Sequence, residues 1–208
     1  MPSPLSRRTE QQSTKRAAVE AGVVEATEAL LAEGASFAEL PVEQIATRAG
    51  ISRTAFYFYF RDKRDLVPRL VESVVDDMYA AAAGWWDGDE DGPAALAVAL
   101  ADVVAIYGRH APALRAVVEA AAIDAEAARY WRTLVGRFVA ATGARIEREQ
   151  ARGAVDPALP AQAVAFGLCW MTERAAYEHL AQDGDPEDSG LVDGLRAIWL
   201  GAVYGRPR

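Results

Sequence analysis

The sequence predicts an all-α fold: a small N-terminal domain of three helices built around a helix-turn-helix, then a larger C-terminal helical domain, about nine helices in all. Three observations predict it. Half of the residues are hydrophobic and many are alanine, which favours helix. Alternating runs of Val, Ile and Thr, the mark of half-buried strands, are nearly absent. Apolar residues instead recur at spacings of three and four between Gly, Pro and Asp punctuation.

Taken in order, residues 1–9 carry two prolines and no apolar period, and are expected to form a disordered tail. A first helix is expected from Glu10 to Glu33, with Val19, Val23, Thr27, Leu30 and Leu31 on its inner face and Gly34 as its C-terminal cap. Phe37 and Leu40 then pack under the next helix. Pro41 suits the first turn of that helix, over 42–48, which buries Val42, Ile45, Ala46 and Ala49. Gly50 supplies a tight turn and Ile51 plugs the core. Ser52 caps a short helix over 52–58. Phe56 and Phe60, four apart, anchor this helix, so Arg53, Thr54 and Tyr57 face outward with Phe58 beside them.

Asp62 is expected to cap a fourth helix over 63–83, with Lys63 at its start. A cation there opposes the helix dipole. A docked phosphate would explain it, since both the lysine and the helix end attract anions; a solvated surface charge is the plain alternative. The stretch GWWDGDEDGP (84–93) reads as an interdomain loop. Further helices are expected over 93–107, 112–121, 124–151, 161–181 and 188–204, with DGDPEDSG as a polar loop before the last.

Charge and cysteine content narrow the function classes. The net charge is −8. Residues 1–70 nevertheless hold ten Lys/Arg against nine Asp/Glu, and 45–64 hold Arg48, Arg53, Arg61, Lys63 and Arg64 against Asp62 alone. A basic head on an acidic body suits a protein that meets DNA with one end. Cys169 is the one cysteine, which excludes an intramolecular disulfide framework. No unbroken run of eighteen apolar residues suggests a membrane span, and the polar N-terminus has no hydrophobic signal core. A cytoplasmic protein is the expectation.

The run GISRTAFYFYFRDK (50–63) resembles the signature of the TetR family of transcriptional regulators: a glycine, an aliphatic residue, a serine, an aromatic run ending in Phe60 and a lysine three residues later. FYFYF, ARGAVDPALPA, MTER at 171–174 and the closing IWLGAVYG are similar to the EthR-like branch of that family. The resemblance implies a DNA-binding domain over 10–65 and a ligand-binding and dimerisation domain over 66–208. It implies a repressor that binds a palindromic operator as a homodimer, paired through about 161–181 and 188–204, and is released by a small apolar ligand.

Residue by residue, the family likeness gives Tyr57, Tyr59 and Lys63 to phosphates, assisted by Thr47 and Ser52, and Arg53 and Thr54 to base edges. Ordinary packing is the competing reading of the two tyrosines. The ligand channel would be lined by Leu96, Val103, Tyr107, Trp131, Val135, Phe138, Thr142, Cys169, Trp170, Thr172 and Trp199, although apolar residues at helical spacing also make plain core. Where the branch orients ligands with two asparagines, this chain has Cys169 and Thr172, which offer no amide. No cofactor, metal or catalytic group is expected. An enzyme using the apolar pocket, or a helical small-molecule binder without DNA function, are the rivals. His110 and His179 have no metal-ligand spacing, no glycine-rich phosphate loop occurs, and Arg53, Tyr57 and Lys63 speak against a lost DNA function.

Overall fold

In the computed structural model, which describes residues 4–88, 91–181 and 189–205, the chain forms nine α-helices and, among the described residues, no strand. They are α1 (Pro4–Ala32), α2 (Val42–Arg48), α3 (Arg53–Tyr59), α4 (Leu66–Asp87), α5 (Gly92–Arg109), α6 (Ala111–Ile123), α7 (Ala125–Ala151), α8 (Ala161–Ala176) and α9 (Ser189–Val203). A 3-10 turn, Lys63–Asp65, leads into α4, and α8 runs on as a π-helical segment, Tyr177–Ala181.

α1, α2 and α3 make the head. Gly50 has φ 70°, the left-handed conformation that glycine adopts without strain, and it turns the chain between α2 and α3. The inner faces of the head bury Val23, Leu30, Leu31, Ile45, Ala46, Phe56 and Phe60. Thr27 is also buried there; its hydroxyl donates to the Val23 carbonyl, so no polar group is left orphaned. In the body, α4 packs on α5, α6 and α7, α7 packs on α8, and α9 closes over α5 and α8. α1 also touches α4 and α6, and the buried apolar residues run as one cluster from head to body.

Several expectations shift. α1 begins at Pro4 instead of Glu10, because proline is tolerated in a first turn; the expected disordered tail is helical from residue 4, and residues 1–3 lie outside the described residues. Pro41 is the N-cap of α2, one place before its first turn. α4 does not end near residue 83. It continues to Asp87, so the expected loop over 84–93 starts with helix, and Trp85 and Trp86 are buried core residues. Burying two indoles outweighs the roughly 1 kcal/mol that Gly84 costs inside a helix. The polar loop expected over 183–190 falls largely on residues 182–188, outside the described residues, and α9 has begun by Ser189.

α5 is long and apolar enough, by length and composition alone, to cross a membrane, with a mean hydropathy of 1.3 over its 18 residues. Part of its apolar content goes into the protein core, where Leu96, Ala99, Leu100, Val104, Ile106 and Tyr107 are buried, while Val98 is exposed.

Candidate nucleic-acid interface and ligand cavity

α3 is held so that one side is core and the other is free. Ser52 caps it, its Oγ accepting the Ala55 N–H at 3.1 Å. Phe56 is fully buried and stacks on Phe60 with ring centroids 5.1 Å apart. Burying a phenyl side chain of this size is worth about 1.5–3 kcal/mol, enough to fix the helix's rotation. Arg53, Thr54 and Tyr57 are therefore exposed together, with the Arg53 guanidinium 5.9 Å from the Tyr57 ring centre. Thr47, on α2, is exposed too. Phe58 is 75% exposed, an unusual position for a phenyl ring, and lies edge-on to Tyr59 with ring centroids 5.2 Å apart.

Tyr59 differs from this group. It is half-buried, its ring lies 5.7 Å from the Arg16 guanidinium and its carbonyl accepts from Arg16 at 3.4 Å. Packing thus accounts for part of its aromatic character, as the competing sequence reading had it. Arg16 is a cation of the head that the motif did not signal, because it lies far upstream in α1.

Lys63 takes a different place from the one its motif position suggested. Its ammonium donates to the carbonyls of Phe37, Ala38 and Leu40 at 2.6, 2.9 and 3.0 Å, and sits 5.0 Å from the Phe37 ring centre. Three donors meet three acceptors, so the ammonium is committed to the loop between α1 and α2. Burial lowers the Lys63 pKa, with Asp62 pulling the other way. The helix-start argument also changes. Asp62 caps the 3-10 turn by accepting the Arg64 N–H at 3.1 Å, and α4 itself starts at Leu66.

In the body, a cavity of about 100 Å³ lies between α4, α5, α7, α8 and α9. Leu96, Val103, Tyr107, Trp131, Val135, Phe138, Thr142, Cys169, Thr172 and Trp199 line it, as expected, and Trp170 does not. The cause is rotation along α8. Cys169, Thr172, Glu173 and Ala176 follow the spacing of one helix face, and Trp170 turns about 100° away from Cys169 and pairs with Phe166 instead. Trp85, Trp86 and Glu173 are walls that the sequence reading missed. The first two were assigned to a loop, and the third could have been found from its place four residues after Cys169.

Most polar atoms of the wall are already paired. Thr142 accepts from the Trp86 indole at 3.3 Å and from the Cys169 thiol at 3.7 Å. Thr172 accepts from the Trp199 indole at 2.8 Å. Burial pushes the Cys169 thiol up to about 11, so it is a neutral, unreactive group near neutral pH. What remains is a small apolar, aromatic cavity.

The comparisons with known proteins agree with both halves. Residues 23–70 match "Bacterial regulatory proteins, tetR family", and residues 96–205 match "Transcriptional regulator EthR, C-terminal domain". The chain is 33% identical over 187 residues to the HTH-type transcriptional regulator EthR of Mycobacterium tuberculosis, covering 88% of this chain and 86% of that one. It is 34% identical to EthR of Mycolicibacterium smegmatis, covering 86% and 84%. Among solved structures, a putative TetR-family regulator from Syntrophomonas wolfei superposes with a TM-score of 0.71 at 12% identity, over 94% of this chain and 98% of that one. NalD, the secondary repressor of the MexAB-OprM efflux pump in Pseudomonas aeruginosa, does so at 0.69 and 17%, over 89% and 96%. These distant likenesses speak for the fold.

Proposed function

Because the chain belongs to the TetR family of transcriptional regulators, in its EthR-like branch, we propose that it is a repressor that grips a near-palindromic operator as a homodimer and lets go when a small apolar molecule enters the body. It is a regulator and not an enzyme. The observation that carries the reading is the outer side of α3, where Arg53, Thr54 and Tyr57 stand free while Phe56 locks the helix from behind.

In this reading the DNA-binding domain covers residues 10–65 and the ligand-binding and dimerisation domain 66–208. Arg53 pairs with a guanine edge and Thr54 meets a thymine methyl. Tyr57, Thr47 and Ser52 take phosphates, with Tyr59 contributing its exposed edge. Lys63 is set apart from the phosphate ligands, because three carbonyls hold its ammonium. A single short helix binds DNA weakly, so two copies are needed, with their α3 helices about 34 Å apart. α8 and α9 are the pairing helices. Exposed Phe166 (58%) and Ile198 (50%) on these helices support that assignment. Such a protein works beside DNA in the cytoplasm.

The ligand acts by population shift: it favours the form of the dimer whose heads no longer match the operator. Selection of bound duplexes from a random DNA pool by the purified protein tests the DNA half. Enrichment of a two-fold symmetric site is the expected result. Recovery of no sequence above background would contradict it and favour a small-molecule binder without a DNA role.

A further inference from the structure

Three polar groups on the cavity wall lack a well-formed hydrogen bond: both carboxylate oxygens of Glu173, the Tyr107 hydroxyl and the Trp131 indole N–H, the last close enough to Glu173 to favour its ionised form. All three residues are more than nine-tenths buried, Glu173 being 8% exposed. They contrast with the rest of the wall, where the hydroxyls of Thr142 and Thr172 serve the indoles of Trp86 and Trp199. The nearest opposite charge to Glu173 is Arg174, at 4.0 Å, beyond hydrogen-bond reach. The Arg174 guanidinium is half-exposed and is engaged elsewhere, with Glu178 at 3.5 Å and the Tyr177 ring at 4.8 Å.

A buried carboxylate without a full set of hydrogen bonds is costly to keep ionised and calls for a partner. Among the residues that line the cavity, Glu173 has the one carboxyl group. Burial raises its pKa, while Arg174 and Trp131 favour the ionised form. Aromatic walls beside a buried anion form a site for an ammonium group, because the ring faces attract cations and the carboxylate accepts N–H bonds. Esters and ketones carry no N–H or O–H to give to an ionised Glu173.

Building on the ligand-cavity reading above, we infer that the effector of this protein is an amphiphilic amine, whose apolar body fills the chamber and whose ammonium end is held by Glu173 and Tyr107. The ammonium donates to the carboxylate and to the phenol oxygen of Tyr107. The Trp131 N–H completes the carboxylate's shell. Thr172 and Cys169 then act as wall, in keeping with the partners they already have.

The probes are 1-hexylamine, 1-hexanol and hexanoate, which share one body and differ in the head. Binding is followed by tryptophan fluorescence and calorimetry near neutral pH, without DNA. The amine is expected to bind the wild type about tenfold or more tighter than the alcohol, and hexanoate to bind weakest. Glu173→Gln is expected to lower amine affinity about tenfold or more and hexanol affinity by much less, so that the preference for amine is lost. Should that variant lose hexanol as well, Tyr107→Phe decides: retained hexanol with a reduced amine preference supports the assignment, and an unaltered preference overturns it. Equal binding of amine and alcohol by the wild type overturns the amine inference but leaves the cavity reading in place. Binding of none of the three overturns both.

Discussion

Arg64 Nη1 lies 2.6 Å from Asp124 Oδ2, and through that pair the edge of the DNA-reading head meets the first turn of the helix that walls the cavity. Asp124 does two things at once. Its other oxygen caps α7, accepting the N–H groups of Glu126 and Ala127 at 2.9 Å each. Further along, α7 contributes Trp131, Leu134, Val135, Phe138 and Thr142 to the chamber. Tyr130 of the same helix donates to the Pro68 carbonyl at 3.3 Å, and Arg69 of α4 reaches Glu20 of α1 at 2.6 Å. In the proposed switch, these contacts would carry a displacement of α7 to the base of the head.

This junction is expected to weaken in acid. The backbone N–H of Ala127, and next the Arg64 guanidinium, hold the Asp124 carboxyl below the usual range. For Asp62 the Arg64 side chain is the main cause of a similar lowering. A depressed folded-state pKa gives stability that is complete above the unfolded value of about 3.9 and is lost as pH falls through the folded value. Thermal unfolding against pH should show a steeper acid loss in the wild type than in Asp124→Asn, which keeps a capping oxygen without a titrating charge. Parallel curves would show that the carboxylate contributes nothing there.

Lys63→Met is expected to destabilise the protein in the absence of DNA. Removing the ammonium leaves the carbonyls of Phe37, Ala38 and Leu40 without their donor, a loss of about 1–3 kcal/mol. Chemical denaturation measures it. A lysine that served phosphate alone would instead leave stability intact and reduce the salt dependence of DNA binding by about one ion.

Arg53→Ala and Tyr57→Phe should separate specificity from grip. The first is expected to lose about 1–3 kcal/mol of discrimination at one base pair of each half-site. The second is expected to weaken binding to every duplex by a similar factor, as loss of a phosphate contact does. Competition binding with single-base variants of a selected operator reads both. Uniform weakening by Arg53→Ala would remove it from base recognition.

Residues 50–60 show why so much was legible in the sequence. Gly50, Ser52 and the pair Phe56/Phe60 each have a local reason to be where they are: a left-handed turn, a cap and an i, i+4 anchor. Local signals of that kind fix α2, α3 and the outward set Arg53, Thr54 and Tyr57. What escaped depends on distant parts of the chain. Lys63 finds its carbonyls more than twenty residues upstream. Trp85 and Trp86 sit among glycines that locally suggest a loop, and only the body's core makes them helical. The inclusion of Trp170 and the omission of Glu173 were open to correction in the sequence itself, since the helical spacing that includes Cys169 and Thr172 includes Glu173 and excludes Trp170.

Phe166→Asp combined with Ile198→Asp is expected to yield monomers. Both side chains are exposed on the proposed pairing helices, and a buried carboxylate with no partner opposes association strongly. Sedimentation velocity distinguishes the species, and operator affinity should collapse with the dimer. A dimer that persists would move the interface to another face.

The chamber behind α7 and the reading surface of α3 are expected to be coupled. The direct test of that coupling is the operator dissociation constant, measured by fluorescence anisotropy with and without a saturating compound already shown by calorimetry to occupy the cavity. Operator binding is expected to weaken by about 5–150-fold, the range of a typical coupling free energy. An operator affinity that is the same with the cavity filled and empty would contradict it.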